Sequence, residues 1–292
     1  MSENYSTTTQ PMVGIGMPTR NRRDYLKKAV DSFLAQTYHN LVVVISDNAS
    51  TDGTQELCEE YAKQDKRVKY IRHKEDIGRN GNATFTLKEI VSVSDFCMMT
   101  SDDDVAEPEF IEACLRALEN DSQAVMAITH HNTVYWGTSK TIEKGTALYV
   151  PTERDLFRRL RQYMLFYSHD ERSFCMSGLF RKEIVEHEEF EDKYECDVNF
   201  SLRCLSQGPF LVASEKVLFH KGIVYGRKST RDLSFGIKKI YLAITARVER
   251  IASEFRNIIF ILTISELVWW QKIDLIGCGF RVIGRVLTRS RI

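Results

Sequence analysis

Short, uninterrupted apolar runs alternate with longer stretches of helical spacing along the first 130 residues. The run "MVGIGMP" (12–18) is closed by a proline, as expected for a buried strand that ends in a loop. In "RRDYLKKAVDSFLAQ", which follows, Tyr25, Leu26, Ala29, Val30, Phe33 and Leu34 recur on one face of a helix. "LVVVISD" (41–47) is apolar on both alternating faces and predicts a second buried strand. The spacing then predicts helices over 54–65, 80–92 and from Pro108 to 119, and strands over 68–72, 95–100 and 124–130. Strands that alternate with helices imply a mostly parallel sheet with helices on both faces, and such sheets bind ligands at the carboxyl ends of their strands.

Beyond residue 130 the pattern loosens. Helices are expected over 153–166, 181–188 and 194–207, strands within 210–224, and an almost wholly helical chain from Ser234. This divides the sequence into a disordered lead-in (1–11), a front half (12–130), a second half (131–233) and a helical extension (234–292).

Composition is ordinary for a globular protein of 292 residues, with 43% hydrophobic and 27% charged side chains. The zero formal charge conceals an asymmetry: from Gly226 onward 13 Lys and Arg face 5 Asp and Glu, so the tail is basic and the front acidic. Seven scattered cysteines with no C-x-x-C pair argue against a disulfide framework or a zinc site and favour a reducing, cytoplasmic setting. The polar N-terminus lacks the apolar core of a secretory signal.

Four polar clusters follow predicted strands: "PTRNR" (18–22), "SDNASTDGT" (46–54), "DIGRNGN" (76–82) and "SDDD" (101–104). Asp, Asn, Ser and Gly also make turns and helix caps, which accounts for Ser50, Thr51 and Gly53. A cap needs one carboxylate, however, and three adjacent ones repel each other unless a cation shares them.

Taken in this order, "PTRNR", "VVVISDNASTDGT" and "SDDD" ahead of "EPEF" resemble a family 2 glycosyltransferase of the GT-A fold, the type that builds bacterial cell-surface polysaccharides. The resemblance is dense over 12–130 and weaker to about 225. It implies a Rossmann-like, mostly parallel α/β sheet flanked by helices, here with a helical C-terminal extension. It also implies transfer of a sugar from a nucleotide-diphosphate sugar to a glycan hydroxyl with inversion. Pro18, Thr19 and Arg20 would pack on the nucleotide, Asp47 would bond the base, and Asn48, Arg79 and Asn82 would line the donor site. The aspartates stand where the family's D-x-D holds Mg²⁺ or Mn²⁺ on the diphosphate, and hard cations prefer carboxylate oxygens. Ser101 replaces the first acid of the usual motif, which leaves Asp102 with Asp104, or Asp103 alone, as the ligand set. Asp104 is the favoured ligand, with Asp102 and Asp103 nearer the donor.

The general base is expected at Asp197 in "ECDVNFSLRCLSQG", with Cys196 where relatives carry glutamate and Arg203 and Gly208 following. A plain helix-start aspartate favoured by the dipole is the competing reading. Ser177 and Gly178 are expected near the acceptor, and His220, Arg227 and Lys228 in a loop that closes over the diphosphate. In the tail, "IIFILTISELVWW" is too short to span a bilayer, whereas Arg281, Arg285 and Arg289 share a helical stripe beside apolar residues. Residues 257–292 are thus expected to meet either an anionic membrane surface or another protein face, and a lipid-linked glycan acceptor would follow from the first. The tail lacks the interleaved aromatics of a nucleic-acid platform, so no nucleic acid is expected. Two further readings stand beside the transferase: a non-catalytic nucleotide-sugar or glycan binder of the same fold, and a sugar-phosphate nucleotidyltransferase. The latter would carry a glycine-rich basic loop where Pro18 and Thr19 stand.

Overall fold

The computed structural model describes residues 10–136, 150–165, 175–190, 196–224, 251–252 and 254–288. Its front half runs β1 (Val13–Thr19), α1 (Arg23–Leu34), β2 (Leu41–Asp47), α2 (Thr54–Gln64), β3 (Val68–Arg72), α3 (Arg79–Val91) and β4 (Phe96–Met99). Each lies within a few residues of the range that the apolar spacing predicts. There follow β5 (Val105–Ala106), α4 (Phe110–Asn120), β6 (Met126–Trp136), α5 (Leu156–Leu165), a 3-10 turn (Cys175–Ser177), β7 (Leu179–Arg181), α6 (Lys182–Val185), α7 (Cys196–Gln207) and β8 (Phe210–Val224). A helical stretch at 254–263 and α8 (Trp269–Thr288) complete the described chain.

The strands form one sheet of eight in the order β3-β2-β1-β4-β7-β6-β8-β5. Strands β3, β2, β1 and β4 are mutually parallel, and the chain builds β2 and β3 on one side of β1 before crossing to β4 on the other. This makes a crevice beyond Thr19 and Met99, where strand order reverses and α/β sheets bind ligands. The short β7 joins β4 and β6 antiparallel to both, so the parallel expectation fails at that point. At three residues, "LFR" is too short to show a period of two, and apolar spacing alone does not find it. Strand β6 extends six residues past its predicted end because the long β8 pairs it as far as Trp136↔Val224.

Two apolar layers cover the sheet. On one face Val13, Ile15 and Met17 meet Leu26, Ala29, Val30 and Phe33 of α1 and Phe110, Cys114 and Leu118 of α4. On the other, Val44, Cys97, Met99, Met126 and Phe180 meet α3, α5 and α7, together with Ile261, Leu267, Leu275 and Cys278 of the C-terminal helices. The tail is therefore packed on the second apolar layer by one stripe, and Arg161 of α5 pairs with Asp274 of α8 at 2.9 Å.

Phe180 of β7 sits at the centre of the second layer, edge-on to Phe200 at 5.5 Å and Phe210 at 5.9 Å between ring centres. Removing a ring from so dense a setting leaves a cavity that α7 and β8 cannot fill together. Phe180→Ala is expected to lower unfolding free energy by about 3–5 kcal/mol, read by denaturant melts.

Candidate functional site

The loop after β1 and the loop after β2 are joined before any ligand is considered. Asn21 takes a left-handed turn at φ 52°, which asparagine tolerates. Its backbone N–H donates to Ser50 Oγ at 2.9 Å, and its Oδ1 accepts from Thr51 N at 2.8 Å. Arg23 N donates to Asp52 Oδ2 at 3.1 Å, so three bonds close the two loops into one edge. Of Ser50, Thr51 and Gly53, for which a turn role is expected, Gly53 takes a left-handed φ of 87°, while Ser50 and Thr51 bond across to Asn21.

Asp47 is fully buried, and its oxygens are consumed inside the protein. It accepts from Ser50 N at 2.9 Å and from Tyr70 Oη at 2.9 Å, with Arg72 Nε 3.6 Å away. It does not line the cleft described below, so the expected contact with a base has no surface to act through. That edge is instead formed by Asn48, Arg20 and Asp76. Asn48 donates to Asp76 Oδ1 at 2.5 Å and accepts from Ile77 N at 2.8 Å, while Arg20 pairs with the other oxygen of Asp76. The backbone N–H of Gly78 is the leading cause that holds the Asp76 carboxyl below its ordinary range. Asp76 was hidden in the sequence, where "DIG" reads as a turn.

A cleft of about 1010 Å³ opens beyond these loops. Pro18, Thr19, Arg20, Arg22, Asn48 and Asp76 line one part, with Arg79 and Asn82 from α3, Ser101 to Asp103 from the β4 loop, and Met176, Asp197 and Lys221 beyond. Asn82 is spent locally: it donates to Ser46 O at 2.9 Å and accepts from Ser46 Oγ at 2.6 Å. Arg79 is exposed at the start of α3.

The three aspartates have separate surroundings. Asp102 accepts from Thr19 Oγ1 at 2.7 Å and lies 3.8 Å from Arg22 Nε. Asp103 lies 3.2 Å from Arg22 Nη1, and its backbone carbonyl accepts from the Trp136 indole at 2.8 Å. Asp104 turns away from the cleft, accepting from Gly222 N at 2.9 Å and Ser101 N at 3.2 Å. Burial pushes its carboxyl up to about 7, against the nearby Lys221 ammonium. The favoured metal ligand is accordingly displaced: Asp104 is a buried anchor between strands, and Asp102 and Asp103 are the carboxylates that the cleft presents. Strand β8 passes so close to this loop that a Cβ on Gly222 would stand 1.9 Å from Asp103 O.

Among the described residues no three His, Cys, Asp or Glu side chains form a metal cage. A cation shared with a diphosphate needs only one or two carboxylates, and the Asp102–Asp103 pair already draws a cation, the Arg22 guanidinium. The donor set fits Mg²⁺ or Mn²⁺ on that basis.

Asp197 occupies the first turn of α7 and faces the cleft, where its Oδ1 also accepts from Val198 N at 3.0 Å. Arg203 is engaged elsewhere, with Glu188 at 2.6 Å. Ser177 and Gly178 do not reach the cleft, and their neighbour Met176 does. The need for glycine at 178 is packing, since a Cβ there would meet Met126 Sδ at 2.1 Å. His220 pairs with Glu107 at 2.8 Å and is no part of the lining. Arg227 and Lys228 lie outside the described residues. Lys221 of β8, which precedes them in sequence, is a cation that lines the cleft together with Gly222 and Ile223.

An α/β sheet with a polar cleft at its switch point and paired carboxylates on the loop after β4 is the arrangement of a nucleotide-dependent transferase class. The profile of Glycosyl transferase family 2 matches residues 15–187, more than half of the chain, and the chain belongs to that family. It is 32% identical over 124 residues to the chondroitin synthase of Escherichia coli, covering 42% of this chain and 18% of that one. The described fold is similar to Staphylococcus aureus TarS 1-349 in complex with UDP-GlcNAc, at a TM-score of 0.64, 15% identity and coverage of 96% of this chain and 74% of that one. It is also similar to the mannosyltransferase PcManGT from Pyrobaculum calidifontis in complex with GDP-Man and Mn²⁺, at 0.53, 12% identity, and coverage of 98% and 77%. The matched segments span less than half the length of the curated relatives. The GT-A, mixed α/β architecture that the motifs imply is the one observed.

Below the aspartate loop, His131 of β6 is 2% exposed, opposite Phe219. Burial, then the charges of Lys221 and His130, lower its imidazole to about 4. An unfolded histidine titrates near 6.5, so the folded state binds fewer protons between those values. Its contribution is complete above pH ~6.5 and is lost as pH falls toward 4. The stability of the wild type relative to His131→Asn, from urea melts at pH 7.5 and 5.0, is expected to decline at the lower pH.

Proposed function

We propose that the protein is an inverting glycosyltransferase that moves a sugar from a nucleotide-diphosphate sugar to a hydroxyl of a lipid-linked glycan in cell-surface polysaccharide synthesis. One observation carries this reading: Asp102 and Asp103 enter the same cleft as Asp197, so a donor site and a base share one space. Family membership and the likeness to folds that hold UDP-GlcNAc or GDP-Man with Mn²⁺ support it.

In this reading the nucleotide lies over Pro18 to Arg20, Asn48 and Asp76, with its diphosphate toward Asp102, Asp103, Arg22 and Lys221. A divalent cation on the Asp102–Asp103 pair supplies charge neutralisation for the departing diphosphate. Asp197 accepts the proton of the acceptor hydroxyl. The hydroxyl oxygen forms its bond to the anomeric carbon on the face opposite to the breaking carbon–oxygen bond, which inverts that centre. The electron pair leaves on the nucleoside diphosphate. A carboxylate oxygen is the proton acceptor that this step requires. The acceptor enters beside Met176, ahead of Ser177 and Gly178.

Calorimetry with UDP-, GDP- and dTDP-sugars, with and without Mn²⁺, tests the donor site. One nucleotide class is expected to bind with metal, and Asp103→Asn to abolish the metal dependence. Asp197→Asn is expected to retain donor binding and lower kcat by about 10²- to 10⁴-fold. Binding that ignores both metal and Asp103 would instead favour a glycan or nucleotide-sugar binder.

The acceptor's lipid carrier is inferred from the tail. Among the described residues, eight of eleven exposed large hydrophobics fall between Phe255 and Phe280. Phe255, Ile259 and Leu262 form one exposed stripe, and Trp269, Ile273 and Phe280 another, with Trp269 72% exposed. The stripes run side by side, because Phe255 and Phe280 are 6.0 Å apart at one end and Lys272 Nζ bonds Leu262 O at 3.0 Å near the other. No described helix is long and apolar enough to cross a membrane. A wide apolar face with paired tryptophans beside Lys272 and Arg281 fits the plane of an anionic bilayer. The full chain is expected to sediment with phosphatidylglycerol vesicles, and Trp269→Ser with Ile273→Ser to sediment at least several-fold less. Vesicle binding unaffected by the pair, or self-association that the pair abolishes, would assign the face to protein instead.

A further inference from the structure

Arg22 is a cation held between two anions that a metal would also need. Its Nη1 lies 3.2 Å from Asp103 Oδ2 and its Nε 3.8 Å from Asp102 Oδ1. All three side chains are sheltered, at 15% exposure for Arg22, 10% for Asp102 and 8% for Asp103. Tyr25, one turn on in α1, places its ring 5.6 Å beneath the guanidinium. The anions are themselves fixed: Thr19 holds the far oxygen of Asp102, and the Trp136 indole holds the backbone of Asp103. Trp136 is in turn covered by Lys28 Nζ at 4.1 Å from its ring centre. The arrangement is a preformed pocket for one guanidinium and not a surface ion pair.

We propose that Arg22 is the resident countercation of the Asp102–Asp103 pair and makes metal binding conditional on a nucleoside diphosphate. This rests on the reading of the cleft as a diphosphate site. A divalent ion and the guanidinium compete for the same Asp103 oxygen, and two positive centres at that spacing repel each other in a sheltered site. An ion arriving alone must displace Arg22 and leave it in the cleft with no anion to take. When a diphosphate enters together with the ion, its oxygens offer Arg22 the bidentate partner that a guanidinium prefers. Arg22 then exchanges two carboxylates for phosphate oxygens at little net change in charge pairing. The device keeps the acidic pair from retaining free metal between turnovers, and it explains how adjacent buried carboxylates persist in the ligand-free fold.

The test reads metal binding without turnover. Free Mn²⁺ is followed by its paramagnetic resonance signal as Mn²⁺ alone is titrated into the wild type, Arg22→Gln and Arg22→Lys. Each titration is repeated with UDP and with GDP. Arg22→Gln is expected to bind Mn²⁺ alone at least about tenfold more tightly than the wild type, since the competitor is gone and the acids are uncompensated. Arg22→Lys, which keeps the charge, is expected to stay near the wild type. With the effective nucleotide present, the wild type is expected to bind Mn²⁺ as tightly as Arg22→Gln or more so. Equal affinity of folded wild type and Arg22→Gln for Mn²⁺ alone, while the wild type still takes Mn²⁺ with a nucleotide, would overturn the role of Arg22 and leave the donor site standing. No Mn²⁺ binding to any form, with or without either nucleotide, would overturn both. Should Arg22→Gln fail to fold, the wild-type arginine Nε–H nitrogen spectrum decides. The resonance missing from Arg22→Lys is expected to shift with Mg²⁺ plus nucleotide and not with Mg²⁺ alone, and any other outcome rejects the exchange.

Discussion

The most consequential contact in the molecule joins the loop between β4 and β5 to the C-terminal end of β8, where the buried Asp104 carboxylate receives the backbone N–H of Gly222. An ionisable group with no exposure is tolerable only when its oxygens are satisfied, and here main-chain donors satisfy them. Because the Gly222 donor lies 118 residues from Asp104 in sequence, the loop that carries Asp102 and Asp103 is pinned from behind by the second half of the sheet. The front carboxylates face the cleft because the third does not. Without Gly222, whose missing Cβ lets Asp103 O approach, the two halves could not meet at this distance.

Much of the front half was legible in the sequence because its strands are buried on both faces, and such strands appear as unbroken apolar runs. "LVVVISD" coincides with β2 to the residue, whereas β3, with Lys69 and Arg72 exposed, falls near its expected place without being such a run. The site was legible as a set of loops, less so as a set of partners. Asp47 and Asp76 are both acids that follow strands, and only three-dimensional placement shows that the first is consumed by Tyr70 and Ser50 while the second meets the cleft. The same holds for "SDDD": adjacent positions on a turn point in different directions, so sequence order alone could not say which carboxylate is the anchor. Arg22 stood inside the quoted "PTRNR", yet its pairing with Asp103 spans 81 residues of chain, and nothing local announces it. Beyond residue 130 the elements are short or amphipathic, and β7 at three residues carries no period to read.

The C-terminal helices illustrate why an apolar sequence can support two readings at once. Ile258, Ile261, Leu275 and Cys278 are buried against the domain, whereas Ile259, Trp269 and Ile273 lie on exposed faces. A one-sided amphipathic helix has a single apolar face, and these helices have two. Packing on the core and contact with a further surface are compatible here, because different stripes of the same helices carry them.

The bonds that close Asn21 on Ser50 and Thr51 knit one side of the cleft from neighbouring loops of a single α/β unit. The opposite wall is drawn from later elements, with Met176, Asp197 and Lys221 arriving from three separate segments. Such a division makes the two walls of the cleft separable along the chain. A change in the later segments would reshape that wall alone and leave the early unit, sealed by its own loops, in place.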